Sequence, residues 1–327
     1  MPVIKKLTPA TAAACRISFL VFLLCGLIFS VPAMADNVKT IIDSSGQIIS
    51  VPKPFKRIIS LYSAHTENLC SLGAADLLVG ISRSDDYPPS IADKPRFSYR
   101  EDPEKFIALH PDLVLVRPMI ERSYPQFIDK LKQAGIAVIS LQPNSVEEMF
   151  GYWENLGILT GHDTQATEMI TVFNSRLKVV QDSLKDVKAD QRPKVYFQSI
   201  HKKMKTFAAE SIGVFVLEQA GGINIAAEAE QVRETNIAFF GKEQLLSHGS
   251  EIDIFLAQQG RMNPVDVETI TNEPGFGAIK AVHNGQVYLI AEELVSRPTL
   301  RILEGIEQLN TLFFHTKDQT GSLQSSQ

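Results

Sequence analysis

Arginine and tyrosine gather in the segments that follow strand-like runs in the first half of the chain: Tyr62, Arg83, Tyr87, Arg96, Tyr99, Arg100 and Arg117, with Met119 beside them. Aromatic faces next to fixed guanidinium forks suit a bulky, conjugated ligand with anionic edges, held by stacking and paired hydrogen bonds. Phe239, Phe240, Met262 and Arg297 hold similar places in the second half. Any one of these residues serves equally well as a solvated arginine or a packing aromatic. Enzyme signatures are thin: there is no Gly-x-Ser-x-Gly elbow, no phosphate loop ending in Gly-Lys-Ser/Thr and no His-Glu-x-x-His. Gly275-Phe276-Gly277-Ala278-Ile279-Lys280 begins like a dinucleotide fingerprint. It puts Lys280 where the third glycine belongs and follows Asn272-Glu273-Pro274 rather than a strand.

Seven histidines stand singly, at 65, 110, 162, 201, 248, 283 and 315. No two have close metal-ligand spacing, so a metal site would have to draw on both halves. His65 and His201 alone directly follow strand-like segments, the edge at which open α/β sheets hold their ligands. For His65, ligand contact, metal coordination and an ordinary hydrogen-bonded loop role are all open. His110, before Pro111, fits a helix C-terminus. Cys70, among Leu69, Leu72 and Leu77, reads as a small core residue.

These side chains need a frame. Strand-like runs at 57–61, 77–81, 113–116 and 137–141 alternate with helix-like pieces at 66–72, from Pro103, at 126–133 and at 146–159, which predicts a mostly parallel sheet covered on both faces. A hairpin signal, Asp43-Ser44-Ser45-Gly46, precedes them. After Arg192-Pro193 the alternation resumes, with strands at 194–200, 252–257 and 286–290 and helices at 212–220, 242–247 and 304–313. Between the halves, Ile170, Phe173, Leu177, Val180, Leu184 and Val187 recur at helical spacing from Asp163 to Asp190. Such a helix would span roughly 40 Å, more than one small lobe needs. The expected fold is therefore α/β: two Rossmann-like lobes joined by one long rigid backbone helix, with a cleft between them. Its expected boundaries are a signal peptide at 1–35, an N-terminal lobe at 36–160, the connecting helix at 161–191, a C-terminal lobe at 192–316 and a loose tail at 317–327.

The halves also repeat a short pattern. Asp102-Pro103-Glu104-Lys105-Phe106-Ile107 leads to Asp112-Leu113-Val114-Leu115-Val116, and Gly241-Lys242-Glu243-Gln244-Leu245-Leu246 leads to Glu251-Ile252-Asp253-Ile254-Phe255-Leu256. In each, a glutamate opens a short helical turn, and an acid eight residues later opens an apolar strand. Glu104 has an ordinary explanation in the helix dipole, worth about 0.3 to 1 kcal/mol. Its recurrence at Glu243 asks for more.

Lys5, Lys6 and Arg16 precede an uncharged apolar run from Ile17 to Val31, and Ala33-Met34-Ala35 supplies small residues for cleavage near Ala35. The run is shorter than the ~20 residues of a spanning helix, and Cys25 follows Leu24 rather than a small residue, so a soluble, exported chain is expected. Its removal would shift the net charge from −5 to −8. That balance argues against nucleic acid or anionic membrane as the main partner. Loss of Cys15 and Cys25 would leave Cys70 alone, so no internal disulfide is expected.

Arg57-Ile58-Ile59-Ser60-Leu61, the stretch from Leu72-Gly73-Ala74 to Val79-Gly80-Ile81-Ser82, Asp86-Tyr87-Pro88-Pro89, Leu109-His110-Pro111-Asp112-Leu113-Val114, Gln219-Ala220-Gly221-Gly222-Ile223-Asn224 and Ala281-Val282-His283-Asn284-Gly285-Gln286-Val287-Tyr288 occur together in order. Through these segments, and over nearly the whole mature sequence from Val38 to Phe314, the chain resembles the periplasmic substrate-binding proteins of ABC importers for ferric siderophores, haem and vitamin B12. The resemblance implies the class III architecture and a ligand in a shallow cleft whose closure the long helix limits. It implies that Glu104 and Glu243, one atop each lobe, dock onto an inner-membrane ABC permease dimer. It also places Tyr87 at a position that vitamin B12 members set against the corrin ring, although Trp153 is the only tryptophan. The expected ligand-binding residues are Tyr62, His65, Arg83, Tyr87, Arg100, Arg117, Phe240 and Arg297. The expected function is a monomeric periplasmic receptor for a metal chelate, a ferric siderophore or a corrinoid, with no catalytic residue, no cofactor and no protein-bound metal. Alternatives are a free-metal or haem receptor using His65, and an exported two-lobed enzyme.

Overall fold

A computed structural model describes residues 38–233 and 235–314; the expected signal segment and C-terminal tail lie outside them. Among the described residues no helix is long and apolar enough to cross a membrane. Strands β1 (Lys39–Ile42) and β2 (Ile48–Val51) form a separate antiparallel hairpin. Its turn closes on Asp43, whose Oδ1 accepts the amides of Ser45 and Gln47 at 2.9 Å each.

The first lobe runs β3 (Ile58–Ser60), α1 (Ser63–Ser71), β4 (Leu78–Ser82), β5 (Arg96–Phe97), α2 (Glu104–Ile107), β6 (Leu113–Val116), α3 (Pro118–Ser123), α4 (Pro125–Gln133) and β7 (Ala137–Ser140). The sheet order is β5-β4-β3-β6-β7, parallel throughout. Every side chain of β3 and β6 is buried, as the unbroken apolar run of β6 requires of a strand covered on both faces. The order reverses between β3 and β6, so the loops leaving these two strands diverge and open a crevice at their C-terminal ends.

Next, α5 (Val146–Thr160) and α6 (Asp163–Ser183) form an antiparallel pair turned at Gly161, whose φ of 74° lies in the left-handed region. Ser145 caps α5 by accepting the amide of Glu148. The connecting helix is shorter than its apolar periodicity predicts: it ends at Ser183, about 32 Å of helix rather than 40. Leu184 stays buried and Val187 packs against the core, so the periodicity there records core contact while the chain already turns toward Pro193. On α6, Ala166, Met169, Phe173, Leu177 and Val180 face inward. They belong to one apolar core holding Trp153 and Leu115 of the first half together with Phe197 and Leu309 of the second. A helix embedded in a core shared by both lobes resists large hinge motion.

The second lobe contains β8 (Lys194–Ile200), β9 (Lys205–Phe207), α7 (Ile212–Gln219), β10 (Ile223–Asn224), β11 (Glu230–Gln231), β12 (Ile237–Phe239), α8 (Lys242–Ser247), β13 (Ile254–Gln259), α9 (Val267–Thr271), α10 (Lys280–His283), β14 (Val287–Ala291) and α11 (Ile302–Phe314). Its sheet is β11-β12-β9-β8-β13-β14, with β10 also on β8. The β8–β13–β14 part is parallel, while β9, β11 and β12 add antiparallel pairing. The alternation read from the chain missed these short strands.

The repeated pattern has a structural counterpart. Asp112, at the entry to β6, accepts the amides of Lys56 and Arg57 at 2.7 and 2.8 Å, fixing the start of β3. Asp253, at the entry to β13, accepts the amide of Lys194 at 2.8 Å, fixing the start of β8, and pairs with Lys280. Asp253, rather than Glu251, is therefore the counterpart of Asp112. The fold is the class III arrangement of two α/β lobes.

Candidate functional site

A cleft of about 520 Å³ opens between the lobes, lined by the loops after β3, β4, β5 and β6 on one wall and after β13 and β14 on the other. That volume suits a small molecule. The first wall presents Tyr62, Arg83, Tyr99, Arg100 and Arg117; the second presents Arg261, Met262, Glu292 and Arg297. Tyr62 and Arg117 directly follow β3 and β6, the strands flanking the reversal of sheet order. The loop bearing Arg83 is pinned by buried Asp85, which accepts the Ser63 hydroxyl at 2.7 Å and the Ser82 amide at 3.1 Å.

Five arginines in one cleft are not equivalent. Arg83 is neutralised by Glu101 and Arg297 by Glu67, the latter at 2.6 Å. Arg117 instead lies over the ring of Tyr62, 5.1 Å from its centroid, and Arg100 near Tyr99 at 5.6 Å, with its Nε donating to the Tyr124 hydroxyl at 3.2 Å. Arg261 is exposed. No carboxylate among the described residues lies within ion-pair distance of Arg100, Arg117 or Arg261. Among the described residues Glu292 is the only acid lining the cleft, and its Oε2 accepts the Met262 amide at 3.2 Å. Gly260 makes room for it, since a Cβ there would lie 2.3 Å from that carboxylate. Burial pushes the Tyr62 phenol above its ordinary range against the opposing pull of Arg117 and Arg297, so the hydroxyl keeps its proton.

The structure thus assembles Tyr62, Arg83, Arg100, Arg117 and Arg297 in the cleft and separates the other three expected residues from it. His65 is enclosed in the first lobe at 0% exposure. Its Nε2 lies 3.1 Å from the Val116 carbonyl, which can only accept, so Nε2 carries the proton and Nδ1 accepts the Tyr152 hydroxyl at 2.7 Å. Burial lowers its pKa to about 4. With both nitrogens engaged, it backs the Tyr62 ring edge-on at 5.1 Å and does not meet the cleft. Phe240 is buried against Tyr196 and His248 in the core of the second lobe. Tyr87 is partly exposed, but its ring lies against the Arg301 guanidinium at 4.4 Å, outside the cleft lining. His201 is also enclosed, with Nδ1 2.9 Å from Gln198 Oε1.

Arg261 and Glu292 escaped the sequence reading. The rule that found Tyr62 and Arg117 applies to them too, because they follow β13 and β14 within two residues. Among the described residues no group of three or more histidines, cysteines or carboxylates could hold a metal ion. Glu104 and Glu243 are exposed in the first turns of α2 and α8, and no ion pair among the described residues engages either.

Residues 58–294 match the family model described as periplasmic binding protein. An uncharacterized ABC transporter substrate-binding lipoprotein of Bacillus subtilis is 28% identical over 83% of this chain and 83% of its own. A vitamin B12-binding protein of Vibrio cholerae is 27% identical over 81% of this chain and 91% of its own. In structure, a possible iron-binding (periplasmic solute-binding) protein of Staphylococcus epidermidis superposes with a TM-score of 0.69 at 26% identity, covering 80% of this chain and all of that one. Two α/β lobes on a shared helical spine, a cleft at their strand ends and a match across most of the chain place it in the periplasmic binding protein family, among the substrate-binding proteins of ABC transporters.

Proposed function

We propose that this protein captures an anionic metal chelate outside the inner membrane and delivers it to an ABC permease. The observation that carries the reading is the convergence of Arg100, Arg117 and Arg261, drawn from both lobes and none of them ion-paired to a carboxylate among the described residues, on one cleft. Such a cleft focuses positive potential on its contents. Glu292 offsets one of these charges, so a ligand of two to three negative charges would complete the cleft, a range that includes a ferric tris-catecholate. The enclosed His65 and the protonated Tyr62 favour a chelate whose metal is already fully coordinated over a bare ion or haem awaiting a protein ligand. A corrinoid is the second reading, favoured by the vitamin B12-binding relative.

Calorimetry against ferric tris-catecholate, ferric tris-hydroxamate, haem and cobalamin at fixed salt is the test. The trianionic chelate should bind tightest and lose affinity steeply as salt rises. Preference for cobalamin would install the second reading, and binding of none would end both. Delivery rests on Glu104 and Glu243: reversing both charges should leave chelate affinity intact and abolish uptake. Uptake that survives would return the two acids to helix-start roles.

A further inference from the structure

We infer that Glu67 is a positioning residue for the cleft: from the first lobe it clamps Arg297 of the second, and so sets the register of the two cleft walls. Glu67 lies on α1 and is only 3% exposed. Its Oε1 accepts from Arg297 Nη1 at 2.6 Å, and the same nitrogen lies 3.6 Å from Asp86. The neighbouring residues extend the seam. Asn68 Nδ2 and Trp153 Nε1, both of the first lobe, donate to the Pro298 carbonyl at 2.9 and 3.0 Å. Arg301 lies over the Tyr87 ring at 4.4 Å. The segment 296–301 of the second lobe is thereby held by the first, and Ser296 and Arg297 are themselves part of the cleft wall.

The second oxygen of Glu67 makes the case specific. Oε2 is buried without a hydrogen-bond partner, and a second cation, Arg301 Nη1, stands 3.9 Å from it. Burying a half-satisfied carboxylate is costly, so neutralising one arginine is a weak reason to keep it. A lobe movement of about 1 Å would bring Arg301 within hydrogen-bond range of that oxygen. Glu67 therefore holds the cleft in register when empty and has one more bond to make when the lobes close on a ligand. Burial raises the Glu67 carboxyl against the pull of Arg297 and Arg301.

The affinity arm of the test rests on the proposed chelate reading; the exchange arm does not. Wild type, Glu67→Gln, Glu67→Asp, Arg297→Met and the Glu67→Gln/Arg297→Met double variant would be compared in the full mature chain. Backbone hydrogen exchange without ligand is read for residues 296–301, and calorimetry is run with ferric tris-catecholate. In Glu67→Gln, exchange at 296–301 should rise at least tenfold while α6 stays protected, and affinity should fall at least tenfold. The double variant should bind within twofold of Arg297→Met alone, because Glu67 acts through that guanidinium. Unchanged exchange overturns the inference, and so does tighter binding in Glu67→Gln, which would reduce Glu67 to a charge mask. Should Glu67→Gln fail to fold, Glu67→Asp keeps both charges, shortens the reach and must still loosen 296–301. A wild type that does not bind the chelate refutes the proposed function while the exchange result still decides the clamp.

Discussion

Arg117→Met removes one receptor charge while keeping much of the side chain's bulk. Arg117 follows β6, and the Tyr62 ring 5.1 Å from its guanidinium aims it into the cleft. A unit charge 4 Å away at an effective dielectric of 20 would feel about 4 kcal/mol. Desolvation and competition with water cut this to the ~1.5–3 kcal/mol typical of hydrogen bonds to charged groups. At 1.4 kcal/mol per tenfold, affinity for ferric tris-catecholate should fall roughly 10- to 100-fold. Calorimetry at 0.1 M salt, where the screening length is about 10 Å, reads the loss directly; at 1 M, where it is about 3 Å, the gap to wild type should narrow. Removing a neutral pair is the contrast. Arg83→Met with Glu101→Gln leaves the net charge of the cleft as it was, since these two already bridge each other, and should cost less than threefold. A loss within threefold for Arg117→Met at 0.1 M would refute the claim that uncompensated charge drives recognition.

His65 should make the protein acid-sensitive. Its pKa is about 4 when folded against an ordinary 6.5, so the unfolded chain takes the proton first. Stability is full above pH 6.5 and falls as pH drops toward 4, by about 3 kcal/mol in all. Glu67 and Asp85 are raised by burial and act with the opposite sign, so urea midpoints of wild type and His65→Gln should be compared at pH 7 and 4.5. The variant should be weaker at pH 7 and lose less on acidification; an identical loss would clear His65 of the effect. Gly305→Ala tests packing on α11, where a Cβ would lie 2.2 Å from the Leu294 carbonyl oxygen. Backbone cannot yield as a side chain can, so a loss of at least ~2 kcal/mol is expected. The melting temperature should drop by about 4–8 °C, and an unchanged one would show that the segment before α11 shifts freely.

What the chain discloses about itself depends on how local the cause is. The buried strand at 113–116 is a continuous apolar run, the strand at 194–200 is built around one at 195–197, and the helix at 242–247 is bracketed by Gly241 and a turn, so all three are legible from neighbours alone. β9 and β11 are two or three residues long, carry Lys205 and Glu230, and owe their extended form to pairing with other strands rather than to an apolar run of their own. Periodicity marked Leu184 and Val187 as core residues correctly and misjudged the backbone that delivers them. The cleft followed the same division. Position after a strand found Tyr62 and Arg117, whereas His65 satisfied that rule and still turned inward, because Tyr152 and the Val116 carbonyl give its ring two partners in the core. Which arginines are free to meet a ligand could not be read locally at all. That depends on Glu101 and Glu67, one of them acting across the lobes.

The two-fold repetition within the chain separates into two kinds of acid. Asp112 and Asp253 each accept a strand-entry amide of the neighbouring strand, so folding alone accounts for a carboxylate at both places. Glu104 and Glu243 have no such work. Each is exposed at the start of a short helix, α2 or α8, where the dipole is worth at most about 1 kcal/mol and a serine or aspartate cap would serve as well. Repetition that folding explains carries no functional information; repetition left over after that subtraction does. The residue here is one unpaired acid per lobe on related elements, the arrangement that a partner built of two equivalent subunits would read with one contact each. The charge reversal at 104 and 243 therefore addresses the part of the repeat that the fold itself leaves unused.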